Sequence, residues 1–203
     1  PRATSHEVRL QNEDRLFGFL DYVVGFFDNK LDSPTTLARP NIMATLVSPG
    51  NLQYNGQFDS VLSRDATSHE QSFFGNLTAR IGDQFEISGG LRHISYQDEN
   101  SLTGVGNGQF RSEKVKKWIY NASLKYNIDE NNMVYIGTGS SMRPGLNVVG
   151  AFSENPSALV NSFLDLPPET SKSYEIGYKS SFWNNRAQFN VTAYHQTFKN
   201  FPY

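Results

Sequence analysis

The chain has 203 residues, 37% of them hydrophobic, with a formal net charge of −2 and no cysteine. That excludes disulfides, thiolate metal sites and cysteine nucleophiles, and leaves no electrostatic case for a nucleic-acid partner. No stretch approaches the roughly 20 consecutive apolar residues of a membrane-spanning helix, but a β-barrel stays open, because only alternate residues of its strands face lipid.

The chain opens Pro1-Arg2-Ala3 without a basic-then-apolar leader, so an export signal is expected to have been removed or to lie outside these residues. Runs with period-two alternation then recur along the whole length, separated by polar or Gly/Pro-rich gaps. They predict eight strands, over residues 5–10, 16–27, 71–81, 85–96, 117–128, 133–142, 172–182 and 187–198.

The hairpin around Gly82-Asp83-Gln84 is the easiest to read. Phe73, Gly75, Leu77, Ala79 and Ile81 share a parity that continues into Phe85, Ile87, Gly89 and Leu91, with His93 the only titratable group on that face. Pairing Ile81 with Phe85 sets Arg80 against Glu86, Thr78 against Ser88 and Phe74 against Arg92, so all full charges share the other face. Around Asp129-Glu130-Asn131-Asn132, the apolar set Trp118, Tyr120, Ala122, Leu124, Tyr126 and Ile128 is opposed by Val134 and Ile136. Around Trp183-Asn184-Asn185-Arg186, pairing Phe182 with Ala187 aligns Tyr178 with Val191, Ile176 with Ala193 and Lys179 with Asn190.

A soluble sandwich would show the same alternation. Three further features favour a membrane barrel. Strands of ten to thirteen residues exceed the usual five or six of soluble sheets and match the length that crosses a bilayer at a tilt. Short turns follow Leu10, Ile81, Ile128 and Phe182, whereas the gaps over residues 28–70, 97–116 and 143–171 are long, so every long connection falls at one end. Trp118, Tyr120, Tyr126, Tyr174 and Phe182 sit near strand ends on the apolar parity, where interfacial girdles form.

Residues 167–201, reading PPETSKSYEIGYKSSFWNNRAQFNVTAYHQTFKNF, resemble the barrel of TonB-dependent receptors, in which Pro-Glu precedes a strand of the form SYEIGYK. Residues 135–147 (YIGTGSSMRPGLN) are similar to the family's strand that ends in Arg-Pro-Gly, with Leu146 where a second Gly is frequent. SHEVRL at 5–10, followed by Val24-Gly25-Phe26-Phe27, looks like a further strand pair of the family. The resemblance implies a receptor of the bacterial outer membrane, with a 22-stranded barrel, an N-terminal plug and energy drawn from a TonB-type coupling protein. Residues 1–203 would then be part of the barrel domain, about eight consecutive antiparallel up-and-down strands, with no plug domain among them. Its partners would be membrane lipid and lipopolysaccharide, the coupling protein acting through the plug, and an extracellular small-molecule ligand such as a ferric siderophore, with no nucleic acid. Neither enzymatic activity nor a cofactor is expected. The alternatives are a soluble secreted all-β binding module and a small self-contained outer-membrane barrel; Lys199 and Pro202 stand where a closing strand would have to pair.

Few residues suggest chemistry. Gly104 to Gly108 is Gly-rich, but no strand-to-helix frame makes it a phosphate loop. His6, His69, His93 and His195 lack the spacing of a metal site, and neither His93 nor His195 has a serine in register for a hydrolase. Arg80, Glu86, Arg92, Lys125, Glu175 and Lys179 share the lumenal parity, where cross-strand neutralisation is the ordinary explanation of charge. Arg143, fixed by the Pro144-Gly145 bend, is the leading candidate for contact with a ligand or plug, followed by Arg92 and the loop aromatics Tyr54 and Phe152.

Overall fold

The computed structural model describes residues 1–47, 53–104, 109–145, 159 and 166–201, with side chains left aside for 39–60. The described residues form nine antiparallel strands in one sheet: β1 (Arg2–Gln11), β2 (Leu20–Asp32), β3 (Thr35–Val47), β4 (Gln53–Ile81), β5 (Phe85–Thr103), β6 (Gln109–Asp129), β7 (Asn132–Arg143), β8 (Glu169–Phe182) and β9 (Ala187–Lys199). The order is β1-β2-β4-β5-β6-β7-β8-β9, with β3 pairing β4 beyond the end of β2. The sheet is open: β1 and β9 are its edges.

The registers expected around the short turns are the observed ones. Ile81 pairs Phe85, Arg80 pairs Glu86 and Phe74 pairs Arg92; Leu124 pairs Ile136 and Tyr126 pairs Val134; Phe182 pairs Ala187, Tyr178 pairs Val191 and Lys179 pairs Asn190. At the last turn Trp183, Asn184 and Asn185 all take positive φ, a conformation Asn accepts more readily than most residues.

Two expectations fail. The strand expected from residue 16 starts at Leu20, because Phe17 and Gly18 turn with positive φ while Leu16 and Leu20 exchange backbone hydrogen bonds. The gap expected over residues 28–70 is largely a β-ribbon, bringing the strand count to nine. Asp32 pairs Thr67 and Thr35 pairs Arg64 in unbroken register, so β2 and β3 are one strand interrupted at Ser33-Pro34. Proline has no N–H to give the ladder, and the register next shifts between Arg39 and Ile42, across Pro40. In the same way β5 runs on to Thr103 and β6 starts at Gln109, so the second long gap is mostly strand. Most of the third, 146–158 and 160–165, lies outside the described residues.

β4 has 29 residues, about 95 Å at the rise of an extended strand. The hydrocarbon core is about 30 Å thick. Counted from the short-turn end, roughly the first ten residues of every strand except β3 cross the bilayer, and β3 with the upper parts of β4, β5 and β6 forms a wall beyond it.

Side-chain exposure decides between sandwich and membrane barrel. Among the described residues Ile94, at 6%, is the only buried apolar side chain, while Leu77 is 54% exposed, Leu91 58%, Trp118 63%, Ile176 58% and Val191 55%. A soluble sheet would bury that row of large apolar side chains against a second layer; here the row is continuous and uncovered, as lipid contact requires.

Two consequences can be measured on the intact protein. Arg at Leu77 or Val191 should cost about 2–4 kcal/mol near the midplane, whereas Arg at Thr78 or Asn190 should be tolerated; urea titration in lipid vesicles compares the four, and equal costs would refute the assignment of faces. In the β6–β7 turn, Asp129 accepts hydrogen bonds from the Asn131 amide and the Asn132 side chain, which hold its carboxyl below the ordinary aspartate value. A lowered folded pKa stabilises the turn above the unfolded value and loses that effect as pH falls through the folded one. Hydrogen exchange at 127–133 should therefore quicken on acidification only below about pH 4, beyond the intrinsic pH dependence of exchange. Asp129→Ala should remove that step.

Candidate lumenal binding surface

The face opposite the lipid row is polar, and its charges are arranged in cross-strand sets. Near the short-turn end, Asp21 (β2), Arg80 (β4), Glu86 (β5) and Lys125 (β6) form a ladder: Arg80 bonds Asp21 and reaches Glu86 at 3.1 Å, and Lys125 reaches the other Glu86 oxygen at 2.5 Å. The registers place Arg80, Glu86 and Lys125 on neighbouring strands at one height, and Asp21, opposite Thr78, meets Arg80 on the diagonal. Farther along, Lys179 lies over the Tyr135 ring at 5.5 Å, and the Tyr135 hydroxyl is 3.0 Å from that of Thr192.

Two motif glycines belong to this face. Tyr135 pairs Gly177 and lays its ring where a Cβ on Gly177 would stand; Phe74 does the same to Gly25. The Gly of SYEIGYK and the Gly of Val-Gly-Phe-Phe are thus places where an aromatic side chain lies flat across the strand. Any larger residue would lift the ring.

A depression of about 620 Å³ lies higher on the polar face, lined by Glu7, Arg9, Phe27, Phe74, Arg92 and Asn121 among others. Arg92 donates through Nε to Ser72 at 2.9 Å and through Nη2 to Glu70 at 2.8 Å, with its guanidinium 5.3 Å from the centroid of the Phe27 ring. Held on three sides, its charge is aimed rather than free to swing. Arg9 pairs with Glu7 beside it.

Beyond the bilayer the inner face of the wall carries a second network. Arg64 donates to Asn100 Oδ1 through Nε at 3.2 Å and Nη2 at 2.6 Å, and Asn100 donates to Asp98 at 2.5 Å. Asn100 is fully buried in it. Burial raises the Asp98 carboxyl above the ordinary aspartate range, against the opposing pull of Asn100 and Arg64.

Arg92 therefore sits in the depression, as its parity required. Arg143 lies at the end of β7, where it contacts Glu169 at 3.1 Å across the β7–β8 pair. A Cβ on Gly145 would collide with the Leu166 carbonyl, so the Arg-Pro-Gly bend admits the returning chain only because Gly follows Pro. Tyr54 is on β4, opposite Leu46, with its side chain undescribed, and Phe152 lies outside the described residues. His93 packs against Trp118 with ring centroids 4.8 Å apart on the lipid face. Sequence reading missed Arg64, Asp98, Asn100 and Glu70; extending the parity of β4 and β5 past Gln71 and Tyr96 would have put all four on the inner face.

Comparison with known proteins agrees with this geometry. A family model described as "TonB dependent receptor-like, beta-barrel" matches residues 4–203. The chain belongs to the TonB-dependent receptor β-barrel family. Such receptors are outer-membrane proteins, which places the apolar face against lipid. Among solved structures, the ferric yersiniabactin uptake receptor FyuA from Yersinia pestis aligns with a TM-score of 0.71 at 17% identity, over 97% of this chain and 28% of that one. The ferric-catecholate import receptor Fiu from E. coli K12 aligns at 0.70 and 16%, over 96% and 31%. The siderophore receptor PiuA from Acinetobacter baumannii aligns at 0.66 and 17%, over 95% and 31%. At these identities they show the shared fold, and the chain spans less than a third of each. The search of curated proteins gave no match.

The ladder yields a prediction for the receptor. Glu86→Gln leaves Arg80 and Lys125 facing each other without their shared anion; with these side chains 24–42% exposed, the cost should be about 1 kcal/mol or less. Adding Lys125→Gln should restore part of it in a double-mutant cycle by urea titration, and strict additivity would show that the ladder is uncoupled.

Proposed function

We propose that residues 1–203 form part of the wall and extracellular mouth of an energy-coupled receptor that takes up a scarce solute such as a ferric siderophore. The observation that carries this reading is the polar face. A barrel wall that served only as a scaffold would not need an aimed Arg92 in a depression or a second Arg64–Asn100–Asp98 network on the wall above the bilayer. The solved structures named above, which share this fold, are siderophore or ferric-complex receptors, which supports the same substrate class.

In this reading Arg92 and Arg143 contact an anionic ligand or an interior plug, and Tyr54 and Phe152 contribute aromatic surface at the mouth. The plug is a domain distinct from these residues and passes energy from a TonB-type coupling protein. Outer-leaflet lipid and lipopolysaccharide cover the apolar face, and nucleic acid has no role. Metal enters only as cargo inside its chelate, so the protein requires no cofactor and performs no covalent step.

The test is uptake and binding by the full-length receptor. Cells that depend on it for iron should grow on at least one ferric siderophore, and removal of the coupling protein should abolish growth while surface binding persists. Arg92→Gln should weaken binding of that chelate about tenfold, equivalent to about 1.4 kcal/mol. Growth unaffected by loss of the coupling protein would overturn the energy-coupled reading.

A further inference from the structure

On the lipid-facing parity of β4 to β6 the chemistry changes in three steps. Lowest is an apolar groove of about 670 Å³ lined by Val24, Gly75, Leu77, Gly89, Leu91 and Tyr120. Above it comes the aromatic row Phe73, His93 and Trp118, joined by the β4–β5 and β5–β6 registers. Two and four residues beyond Trp118 on the same face are Lys116 and Lys114, both exposed, opposite neutral Ser95 and Gln97. An aromatic row marks the interface between hydrocarbon and headgroups, so the lysines stand where lipid phosphates stand.

The groove is not imposed by packing within the sheet. A Cβ on Gly89 would meet nothing nearer than the Asn121 carbonyl at 3.9 Å, and one on Gly75 would touch Val24 at an ordinary 3.5 Å. Both positions could carry side chains, unlike Gly25 and Gly177 on the lumenal face. From the Leu91–Tyr120 row to the Ser95–Lys116 row is four residues, about 13 Å along the strand. That separation matches an acyl chain lying below the headgroup it belongs to.

We propose that this side of β4–β6 is a docking site for a phosphorylated lipid of the outer leaflet, its phosphate held by Lys114 and Lys116 and one acyl chain lying over Gly75 and Gly89. The proposal rests on the outer-membrane placement of this face. Charge complementarity selects the occupant: two adjacent cations with neutral donors Ser95 and Gln97 beside them suit a phosphate, although Gln97 also donates to Glu99 at 2.7 Å. Glu99 accepts that bond with its charge intact, and the register sets it two residues from the Lys114 row and four from the Lys116 row.

Native mass spectrometry of the full-length receptor in mild detergent tests this, using bisphosphorylated lipid A and its dephosphorylated form as probes. Heat-modifiable gel mobility reports the barrel fold independently. Lys114→Gln with Lys116→Gln should reduce retention of the bisphosphorylated lipid about tenfold and leave the dephosphorylated lipid unchanged. Gly89→Leu, which fills the groove, should reduce both. Lys172→Gln, an exposed lysine on the same parity of β8, should change neither. Wild-type retention by the heat-modifiable double lysine variant, equal loss in Lys172→Gln, or equal wild-type affinity for the two lipids would each overturn the proposal while leaving the membrane placement intact. A wild-type receptor with no heat-modifiable fold would overturn both.

Discussion

Everything in this chain depends on one constraint: inside the bilayer there is no water to satisfy a backbone N–H or C=O, so each strand must give its hydrogen bonds to a neighbour. The ladders that result are nearly unbroken, and between β4 and β5 the pairing runs on past the bilayer to nineteen consecutive pairs. With the backbone committed in this way, side chains have only two directions available, toward lipid or toward the lumen. The two faces then sort by chemistry. Lipid takes the apolar row, and the charges gather where water and partners can reach them.

Charges on the lumenal face are not independent of that sorting. Sharing one parity on adjacent strands brings Asp21, Arg80, Glu86 and Lys125 together whether or not each has a function, and their alternating signs make the arrangement tolerable. Such a ladder neutralises itself and offers little to a ligand. Arg92 differs. Its anion, Glu70, lies four residues above the position directly opposite it, and Ser72 and Phe27 complete its support, which leaves the guanidinium fixed at the edge of a depression.

How much of this was legible in the sequence varied with height in the membrane. Around the short turns the register could be read residue by residue, because a tight turn pins the pairing and a one-residue slip would drive Arg80 and Glu86 into lipid. Beyond the bilayer both faces of the wall are wet, the selection for alternation lapses, and β3 with the upper parts of β4, β5 and β6 reads as polar loop. Pro34 and Pro40 added to that impression, although each interrupts the ribbon rather than ending it. For the same reason Arg92 could be picked out directly, while Arg64, Asp98 and Asn100 sit where the local pattern no longer alternates and only the parity of the strands below, carried upward, places them. The Arg143–Glu169 contact spans a long connection that no local pattern crosses.

The glycines carry the distinction between the faces one step further. A glycine in a strand is costly in chain entropy and contributes nothing to packing, so its presence at a regular position calls for a physical reason. On the lumenal face the reason is internal: Phe74 and Tyr135 lie across Gly25 and Gly177, and no Cβ would fit beneath them. On the lipid face Gly75 and Gly89 have room for a side chain that the sequence does not supply. The protein's own packing therefore explains the first pair and not the second. What remains to fill the space over Gly75 and Gly89 is the solvent of that face, and lipid in a groove beneath an aromatic row and two lysines is ordered in a way that bulk lipid is not. The same backbone ladder that forces the faces apart thus gives each a different kind of recognition, a positioned charge toward the lumen and a shaped apolar channel toward the membrane.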